Sequence, residues 1–174
     1  DPLSPYAATK LAGEYYLMTF ARCYPIDTCS LRFFNVFGPR QNPASPYSGV
    51  LAKFCSAYGR NEPIVIHGDG EQTRDFTYVE NAVEACLLAR SAQEPLRGAV
   101  FNIGCGERTS LKRLVAVLNE LTGQHKTPQF DSPRAGDVLH SLADISRARR
   151  VLGYEPTVGL REGLQKTLAW YQGG

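Results

Sequence analysis

Apolar residues recur along the 174-residue chain with the periods of both helices and strands. The clearest helix follows Ser110, because the apolar residues from 111 to 121 fall on one stripe and Ser110 can cap the first turn. Asn81 and Asp144 are expected to cap two further helices in the same way. Helices are thus predicted over 5–24, 50–58, 82–91, 111–121, 144–152 and 160–171.

Short apolar runs bounded by turn residues predict strands over 27–33, 63–66, 74–79, 99–103 and 128–130. The run 27–33 is predicted to be a short, mostly buried strand of parallel character. It leads into the loop 35–41, and the ligands of open α/β sheets bind just beyond the carboxyl ends of strands. This loop is therefore a candidate ligand site.

Composition limits the partners that the chain can have. The net charge is only +2 and no block of Lys or Arg stands out, which argues against a nucleic-acid partner. No apolar run approaches the roughly 18 residues of a membrane span. The five cysteines and three histidines are scattered, so they offer no metal-ligand spacing and fit reduced thiols. We expect a cytoplasmic protein with no metal, no membrane contact and no nucleic-acid partner.

Tyr6 and Lys10 lie four residues apart in the first predicted helix, so their side chains share one face. An ammonium beside a phenol stabilises the phenolate, and a phenolate can act as a general base. An aromatic residue and a solvated lysine at this spacing are, however, more often parts of an ordinary amphipathic helix. The pair alone leaves both interpretations open.

The sequence contains no Gly-x-x-Gly-x-x-Gly turn, which would open a cofactor-binding βαβ unit. The candidate catalytic tyrosine also lies within a few residues of the first residue. We therefore expect this chain to be the C-terminal half of a larger protein.

Four stretches carry a family resemblance: 4–10, 32–41, 68–79 and 134–144. In order and spacing they resemble the motifs of the extended short-chain dehydrogenase/reductase family. The chain is most similar to the NAD-dependent nucleotide-sugar epimerases and dehydratases, especially the UDP-hexose and UDP-N-acetylhexosamine 4-epimerases. The resemblance covers the whole chain.

The resemblance implies NAD as the cofactor and assigns roles at the catalytic end. Tyr6 would be the general base and acid on the sugar hydroxyl, and Lys10 would hold the nicotinamide ribose. Phe33 and Phe34 would line the nicotinamide end. Asn35 would contact the diphosphate or the sugar.

The resemblance also implies a UDP-sugar substrate. Arg74 and Arg134 would clamp the pyrophosphate, for which a planar and permanently charged guanidinium is suited; the alternative for each is a surface ion pair with a nearby Asp. Valine at position 65 leaves base stacking open, because some relatives have an aromatic residue there, and His67 could equally be an exposed turn residue. The implied nucleotide contacts are Val50 and Leu51 through their backbone, Lys53, Val65, His67 and Asp137.

Ser141 matches a position that is small in 4-epimerases accepting N-acetyl sugars and bulky in those restricted to glucose and galactose. A serine leaves room beside the C2 substituent of the sugar. We therefore expect UDP-GlcNAc and UDP-GalNAc to be accepted. The alternative is that Ser141 only packs or caps locally.

The implied fold is α/β, with the C-terminal part of a Rossmann-like parallel sheet and a smaller mixed α/β substrate-binding lobe. Residues 1–36 would end the NAD-binding domain and 80–105 would return to it, while 37–79 and 106–174 would form the lobe. A homodimer through the Tyr6–Lys10 helix is implied, and the apolar residues on more than one face of that helix agree with it.

The implied reaction is 4-epimerisation of a UDP-sugar through a transient 4-keto sugar. The alternatives are a nucleotide-sugar 4,6-dehydratase, a UDP-glucuronate epimerase, or a non-catalytic nucleotide-sugar-binding module. Without the glycine-rich turn, the isolated 174-residue chain is expected to be inactive.

Overall fold

The computed structural model describes residues 2, 4–45, 48–133 and 138–172. The helices in these ranges are α1 (Pro5–Cys23), α2 (Val50–Gly59), α3 (Val79–Arg90), α4 (Leu111–Thr122), α5 (Ser146–Leu152) and α6 (Leu160–Gln172). The strands are β1 (Cys29–Phe33), β2 (Val36–Phe37), β3 (Val65–His67), β4 (Thr73–Arg74), β5 (Thr77–Tyr78), β6 (Ala99–Ile103), β7 (Thr109–Ser110) and β8 (Gln129–Asp131).

The strands pair two by two, and most pairs are parallel. β1 and β6 run in parallel register from Cys29 opposite Ala99 to Phe33 opposite Ile103. The chain between them includes α3, as parallel pairing requires a long crossover. β2 pairs in parallel with β5 and β3 with β8, whereas β4 and β7 are antiparallel. The predicted α/β class with a parallel sheet is confirmed, while the boundaries at 36, 79 and 105 stay predictions.

The larger apolar core lies among α2, β3, α4 and α6. Phe37 of β2 and Tyr78 of β5 enter this core, with their rings 5.5 Å apart. α6 approaches them through Gly163, where a Cβ atom would lie 2.8 Å from both rings. A glycine is needed there because a methyl group has no space.

A second, smaller core lies between β6 and helices α3 and α5. It includes Phe101 and Ile103 of β6, Ala85 of α3 and Ala148 of α5. Tyr154 closes it, and its buried hydroxyl donates to the carbonyl of Gly104 at 3.0 Å. Burial raises the pKa of Tyr154 far above the ordinary phenol range, so this hydroxyl keeps its proton.

Helix α1 begins and ends close to its predicted limits, and Ser4 caps it by accepting from the N–H of Ala7. None of its residues is buried. It is held against β1 by Glu14, which accepts two hydrogen bonds of 2.7 and 2.6 Å from Arg32. Arg32 thereby lowers the pKa of Glu14. The predicted packing of α1 on two sides stays a prediction, since Tyr6, Tyr15, Tyr16, Leu17 and Phe20 are exposed here.

The strongly periodic helix over 111–121 is confirmed as α4. Ser110 accepts from the N–H of Arg113, and Gly123 ends the helix in the left-handed conformation, with a φ of 68°. The predicted strand over 99–103 is confirmed as β6. None of the helices in the described ranges is long and apolar enough to cross a membrane.

Two predictions of local structure were wrong in part. The single strand expected over 74–79 is two short strands, β4 and β5, separated by the buried residues Asp75 and Phe76. Asp144 is not the N-cap residue of α5, which is Ile145, but its Oδ1 atom accepts from the N–H of Ser146 at 2.9 Å. Hydrogen bonds from the hydroxyl and then the backbone N–H of Ser146 lower the pKa of Asp144.

The predicted capping role of Asn81 was wrong. α3 begins at Val79, so Asn81 lies inside the helix, and its side chain is 1% exposed. Its Oδ1 atom accepts from the N–H groups of Thr157 and Val158, both at 3.1 Å, and its Nδ2 atom donates to the carbonyl of Val158 at 2.8 Å. Asn81 thus ties α3 to the segment before α6.

Replacing Asn81 by Ala leaves two backbone N–H groups and one carbonyl without partners. We expect the free energy of unfolding to fall by about 2–4 kcal/mol, measured by urea unfolding of the full-length protein. The matched control is Asn102→Ala, which removes one hydrogen bond to the carbonyl of Asp144 at a half-buried position. The control should lose less than about 1 kcal/mol, and equal losses in the two variants would contradict the prediction.

Candidate functional site

A cavity of about 450 Å³ lies between the first turn of α2, strand β3 and strand β4. We call it the α2–β3 cavity. Its volume is within the range of small-molecule sites. The residues predicted from sequence that line it are Asn35, Val50, Lys53, Val65, His67 and Arg74. Residues far apart in the chain are therefore gathered at one place.

The α2–β3 cavity has an apolar wall. Ile64 and Ile66 are buried beside β3, and Phe54 and Ala57 come from the inner face of α2. Val65 points outward and is 43% exposed, so its side chain is free to meet a ligand. This wall suits a flat apolar group more than an extended polar one.

The cavity also has a positive side. α2 begins at Val50, and its N-cap residue, Gly49, has no side chain that could cap the first N–H groups. Uncapped N–H groups and the helix dipole favour an anion at this end. Lys53 lies on the same turn, is exposed and lines the cavity.

Arg74 is the second cationic residue of the cavity. It is half-buried in β4, and its Nη1 atom donates to the carbonyls of Thr73 at 2.9 Å and Leu139 at 3.3 Å. These two bonds fix the plane of the guanidinium. Its Leu139 partner belongs to the segment 138–143, which runs beside β4.

Asn35 lies where the chain leaves β1, at the carboxyl edge of the β1–β6 sheet. Its φ of 37° is in the left-handed region, which few residues other than glycine adopt without strain. Its Nδ2 atom donates to the carbonyl of Asp75 at 3.1 Å. This bond aims the exposed side chain toward the cavity.

His67 lies in strand β3 and is half-buried, so the alternative of an exposed turn residue was wrong. Its Nδ1 atom is 3.6 Å from the carboxylate of Asp131 on the paired strand β8. Its carbonyl accepts from Gln72 Nε2 at 2.6 Å. The imidazole thus lies beside the Asp131 carboxylate, and the backbone of His67 is held by Gln72.

The predicted catalytic pair lies apart from the α2–β3 cavity. Lys10 Nζ is 5.2 Å from the centre of the Tyr6 ring, so the two side chains do share one face of α1. Tyr6 is 62% exposed and Phe33, at the end of β1, is 48% exposed. Tyr6, Lys10 and Phe33 are absent from the described lining of the cavity.

Ser141 is half-buried in the segment 138–143, and its N–H donates to the carbonyl of Thr73 at 3.1 Å. It is absent from the described lining of the cavity as well. Arg134 and Asp137, which were expected to contact the nucleotide, lie outside the described residues.

A sequence model of the NAD dependent epimerase/dehydratase family matches residues 1–104. The chain belongs to this family. It spans about half the length of the curated relatives that it matches.

Solved structures of the family agree in fold. The UDP-glucose 4-epimerase of Thermotoga maritima, solved with UDP-glucose, is 42% identical with a TM-score of 0.93, over 99% of this chain and 55% of that one. The UDP-N-acetylglucosamine 4-epimerase of Methanobrevibacter ruminantium, in complex with UDP-N-acetylmuramic acid, is 38% identical with a TM-score of 0.92, over 98% and 54%. The UDP-glucuronic acid 4-epimerase of Bacillus cereus, in complex with UDP-glucuronic acid and NAD, is 34% identical with a TM-score of 0.90, over 99% and 54%.

Two features of this epimerase/dehydratase chain bear on its chemistry. In the described ranges no three His, Cys, Asp or Glu side chains are grouped to hold a metal ion. Cys105, next to the end of β6, is a free thiol whose pKa is raised to about 11, first by burial and then by the charge of Asp75. It is a protonated packing residue at neutral pH.

The sequence reasoning assigned no role to the apolar residues of the cavity wall or to Asp75, which lies beside the site. Asp75 appeared only as a possible ion-pair partner of Arg74, yet it is fully buried and its carboxylate accepts three backbone hydrogen bonds. The available signal was its position, a charged residue followed at once by Phe76 and the apolar end of the run 74–79. A charged residue in such a run is buried only when it has partners.

Proposed function

We propose that the full-length protein carrying this chain is an NAD-dependent 4-epimerase of UDP-sugars. The observation that carries the proposal is the α2–β3 cavity, which joins an apolar wall to a cationic side. A nucleoside diphosphate has the same two parts, a flat base and a charged diphosphate.

The base would lie on the wall formed by β3 and the inner face of α2. The diphosphate would lie near the start of α2, where the uncapped N–H groups, Lys53 and Arg74 are all favourable for negative charge. Asn35 would contact the diphosphate or the first atoms of the sugar. Arg134 and Asp137 are proposed as further contacts to the pyrophosphate and to the ribose or uracil.

The residues present fit the nicotinamide end of NAD. Tyr6 and Lys10 are exposed on one face of α1, and Phe33 is exposed at the carboxyl end of β1, where cofactors of open α/β sheets bind. When bound, NAD supplies the hydride acceptor for C4 of the sugar. Lys10 would hold the nicotinamide ribose.

Tyr6 would take the proton of the 4-hydroxyl as the 4-keto sugar forms. It would return the proton to the oxygen after the sugar has presented its other face. Lys10, on the same face of α1, stabilises negative charge on the phenol oxygen while the proton is away. The net change is an inverted C4 with no atom gained or lost.

We propose that UDP-GlcNAc and UDP-GalNAc are accepted because Ser141 leaves space beside the C2 substituent. The N-acetylglucosamine epimerase among the relatives agrees with this proposal. The second candidate is 4-epimerisation of UDP-glucuronate, which the Bacillus cereus relative favours.

We also propose a homodimer through α1 and a cytoplasmic location. The exposed aromatic and apolar side chains of α1 support the first proposal. The five free cysteines support the second.

The decisive experiment follows UDP-GlcNAc and UDP-glucose separately by proton NMR at the anomeric position, with full-length protein and no added NAD. We expect UDP-GalNAc to appear, because retained cofactor is regenerated in each turnover. Tyr6→Phe should reduce turnover at least about 100-fold and leave the affinity for UDP unchanged. The 174-residue chain alone should be inactive, and failure of the full-length protein to convert either substrate would contradict the proposed reaction.

Replacing Ser141 by Tyr fills the space proposed for the N-acetyl group. Turnover of UDP-GlcNAc should be lost, while turnover of UDP-glucose changes by less than about threefold, a distinction typical of steric exclusion. Ser91→Tyr, at the end of α3, is the control for added bulk elsewhere. Equal losses on both substrates would refute the role of Ser141.

The homodimer is tested by sedimentation velocity of the full-length protein. We expect one species at twice the chain mass, because the exposed aromatic and apolar side chains of α1 would otherwise stay in contact with water. A monomer at micromolar concentration would contradict the proposal.

A further inference from the structure

Asp75 is fully buried between β4 and β5, at the point where the two apolar cores meet. Its Oδ1 atom accepts from the N–H of Cys105 at 2.8 Å. Its Oδ2 atom accepts from the N–H groups of Gly106 at 2.9 Å and Ala143 at 3.1 Å. One carboxylate therefore joins the loop after β6 to the segment 138–143.

The space around this carboxylate is closed. A Cβ atom on Gly104 would lie 2.7 Å from Asp75 Oδ2 and 2.5 Å from Ala143 Cβ. Gly104, Asp75 and Ala143 are therefore closely packed, with no space for a side chain at position 104. This packing and the three hydrogen bonds bring the loop after β6 close to the segment 138–143.

The segment 138–143 also carries groups of the candidate site. It is bonded to β4 at Thr73, whose N–H donates to the carbonyl of Leu139 at 2.9 Å and whose carbonyl accepts from Ser141 at 3.1 Å. The Leu139 carbonyl in turn accepts from Arg74 Nη1 at 3.3 Å. Thr73 holds one end of the segment and Asp75 holds the other.

The backbone of Asp75 reaches the site from a second side, because its carbonyl accepts from Asn35 Nδ2. Arg74 and Asn35 both line the α2–β3 cavity. Asp75 itself is absent from the described lining. It holds Asn35 through its backbone carbonyl, it follows Arg74 directly in the chain, and it bonds to the segment 138–143, which accepts from the Arg74 side chain.

We propose that Asp75 is a positioning residue for diphosphate binding, which fixes Arg74 and Asn35 against the carboxyl edge of the β1–β6 sheet. The proposal rests on the proposed UDP-sugar site. Its physical content is that the geometry of two ligand-facing side chains depends on three backbone hydrogen bonds to one buried carboxylate.

Asparagine is the sharpest replacement, because it keeps the shape of Asp75. An amide has one oxygen, so at least one of the three N–H groups must face the Nδ2 donor. The contact that faces Nδ2 becomes repulsive, which displaces either the N–H of Cys105 or those of Gly106 and Ala143, and so shifts the loop after β6 relative to the segment 138–143. Neither Arg74 nor Asn35 is altered chemically.

The test is the affinity of the full-length protein for UDP, measured by calorimetry. Asp75→Asn should weaken binding at least about tenfold, the effect of one lost charge-assisted hydrogen bond. The control is Asp27→Asn, since Asp27 also accepts from two backbone N–H groups, those of Leu96 and Arg97, at an exposed place away from the cavity. The control should change the affinity less than about twofold.

A folded Asp75→Asn protein with unchanged affinity for UDP would overturn the proposal. UDP binding needs no turnover, so the test stands if the reaction proves to be something other than 4-epimerisation. Absence of UDP binding by the unaltered protein would overturn both the site and this proposal.

Hydrogen exchange of the unaltered protein tests the same role of Asp75 without any variant, and so also serves if Asp75→Asn does not fold. Coupling between two sites is reciprocal, so bound UDP must stabilise the Asp75 hydrogen bonds as much as they stabilise bound UDP. We expect the amides of Cys105, Gly106 and Ala143 to exchange at least about fivefold more slowly with UDP than without it. Unchanged exchange would overturn the proposal.

Discussion

The structure depends on buried polar side chains that bond to backbone groups where the two apolar cores meet. Asp75 joins the loop after β6 to the segment 138–143, and Asn81 joins α3 to the segment before α6. Apolar packing within each core is non-directional and leaves the relative placement of the cores loosely specified. Hydrogen bonds to fixed N–H and C=O groups have direction, and breaking one inside the protein is costly. Asp75 and Asn81 therefore fix the relative placement of the two cores, which apolar packing alone would leave loosely specified.

The relative placement of the two cores explains why the α2–β3 cavity has cationic residues on one side. α2 packs its apolar face into the larger core, which leaves its first turn and Lys53 at the rim. β4 has only two residues, so its position also depends on the hydrogen bonds of Thr73 to the segment 138–143 and of Asp75 to Ala143. Arg74 is placed on the cavity side as a result. The positive side of the cavity is therefore a consequence of how α2, β4 and the segment 138–143 are held in place.

Sequence patterns predicted the parts of the fold that local rules control. α4 has a strong apolar stripe, a serine cap and a terminal glycine, and all three were found in place. The capping prediction for Asn81 was wrong because an asparagine ahead of an apolar run can either cap a helix or be buried in one. Here the distant segment at Thr157 and Val158 decides which, because it supplies the hydrogen-bond partners of the buried side chain. The buried role of Asp75 was not predicted for the same reason, since its partners Cys105 and Ala143 lie 30 and 68 residues away. The gathering of Asn35, Val50, Lys53, Val65, His67 and Arg74 followed from a family resemblance, because no local pattern reports that these residues meet.

The proposed catalytic pair on α1, Tyr6 and Lys10, and the lining of the α2–β3 cavity share no described residue. In the proposed function, recognition of the nucleotide and transfer of the proton therefore belong to different surfaces, which can change independently. If Ser141 has its proposed role, a substitution in the segment 138–143 alters which sugar is admitted while Tyr6 and Lys10 remain unchanged. Such a division lets one chemistry be kept while its substrates diversify, and the relatives named for glucose, N-acetylglucosamine and glucuronic acid are what that freedom would produce.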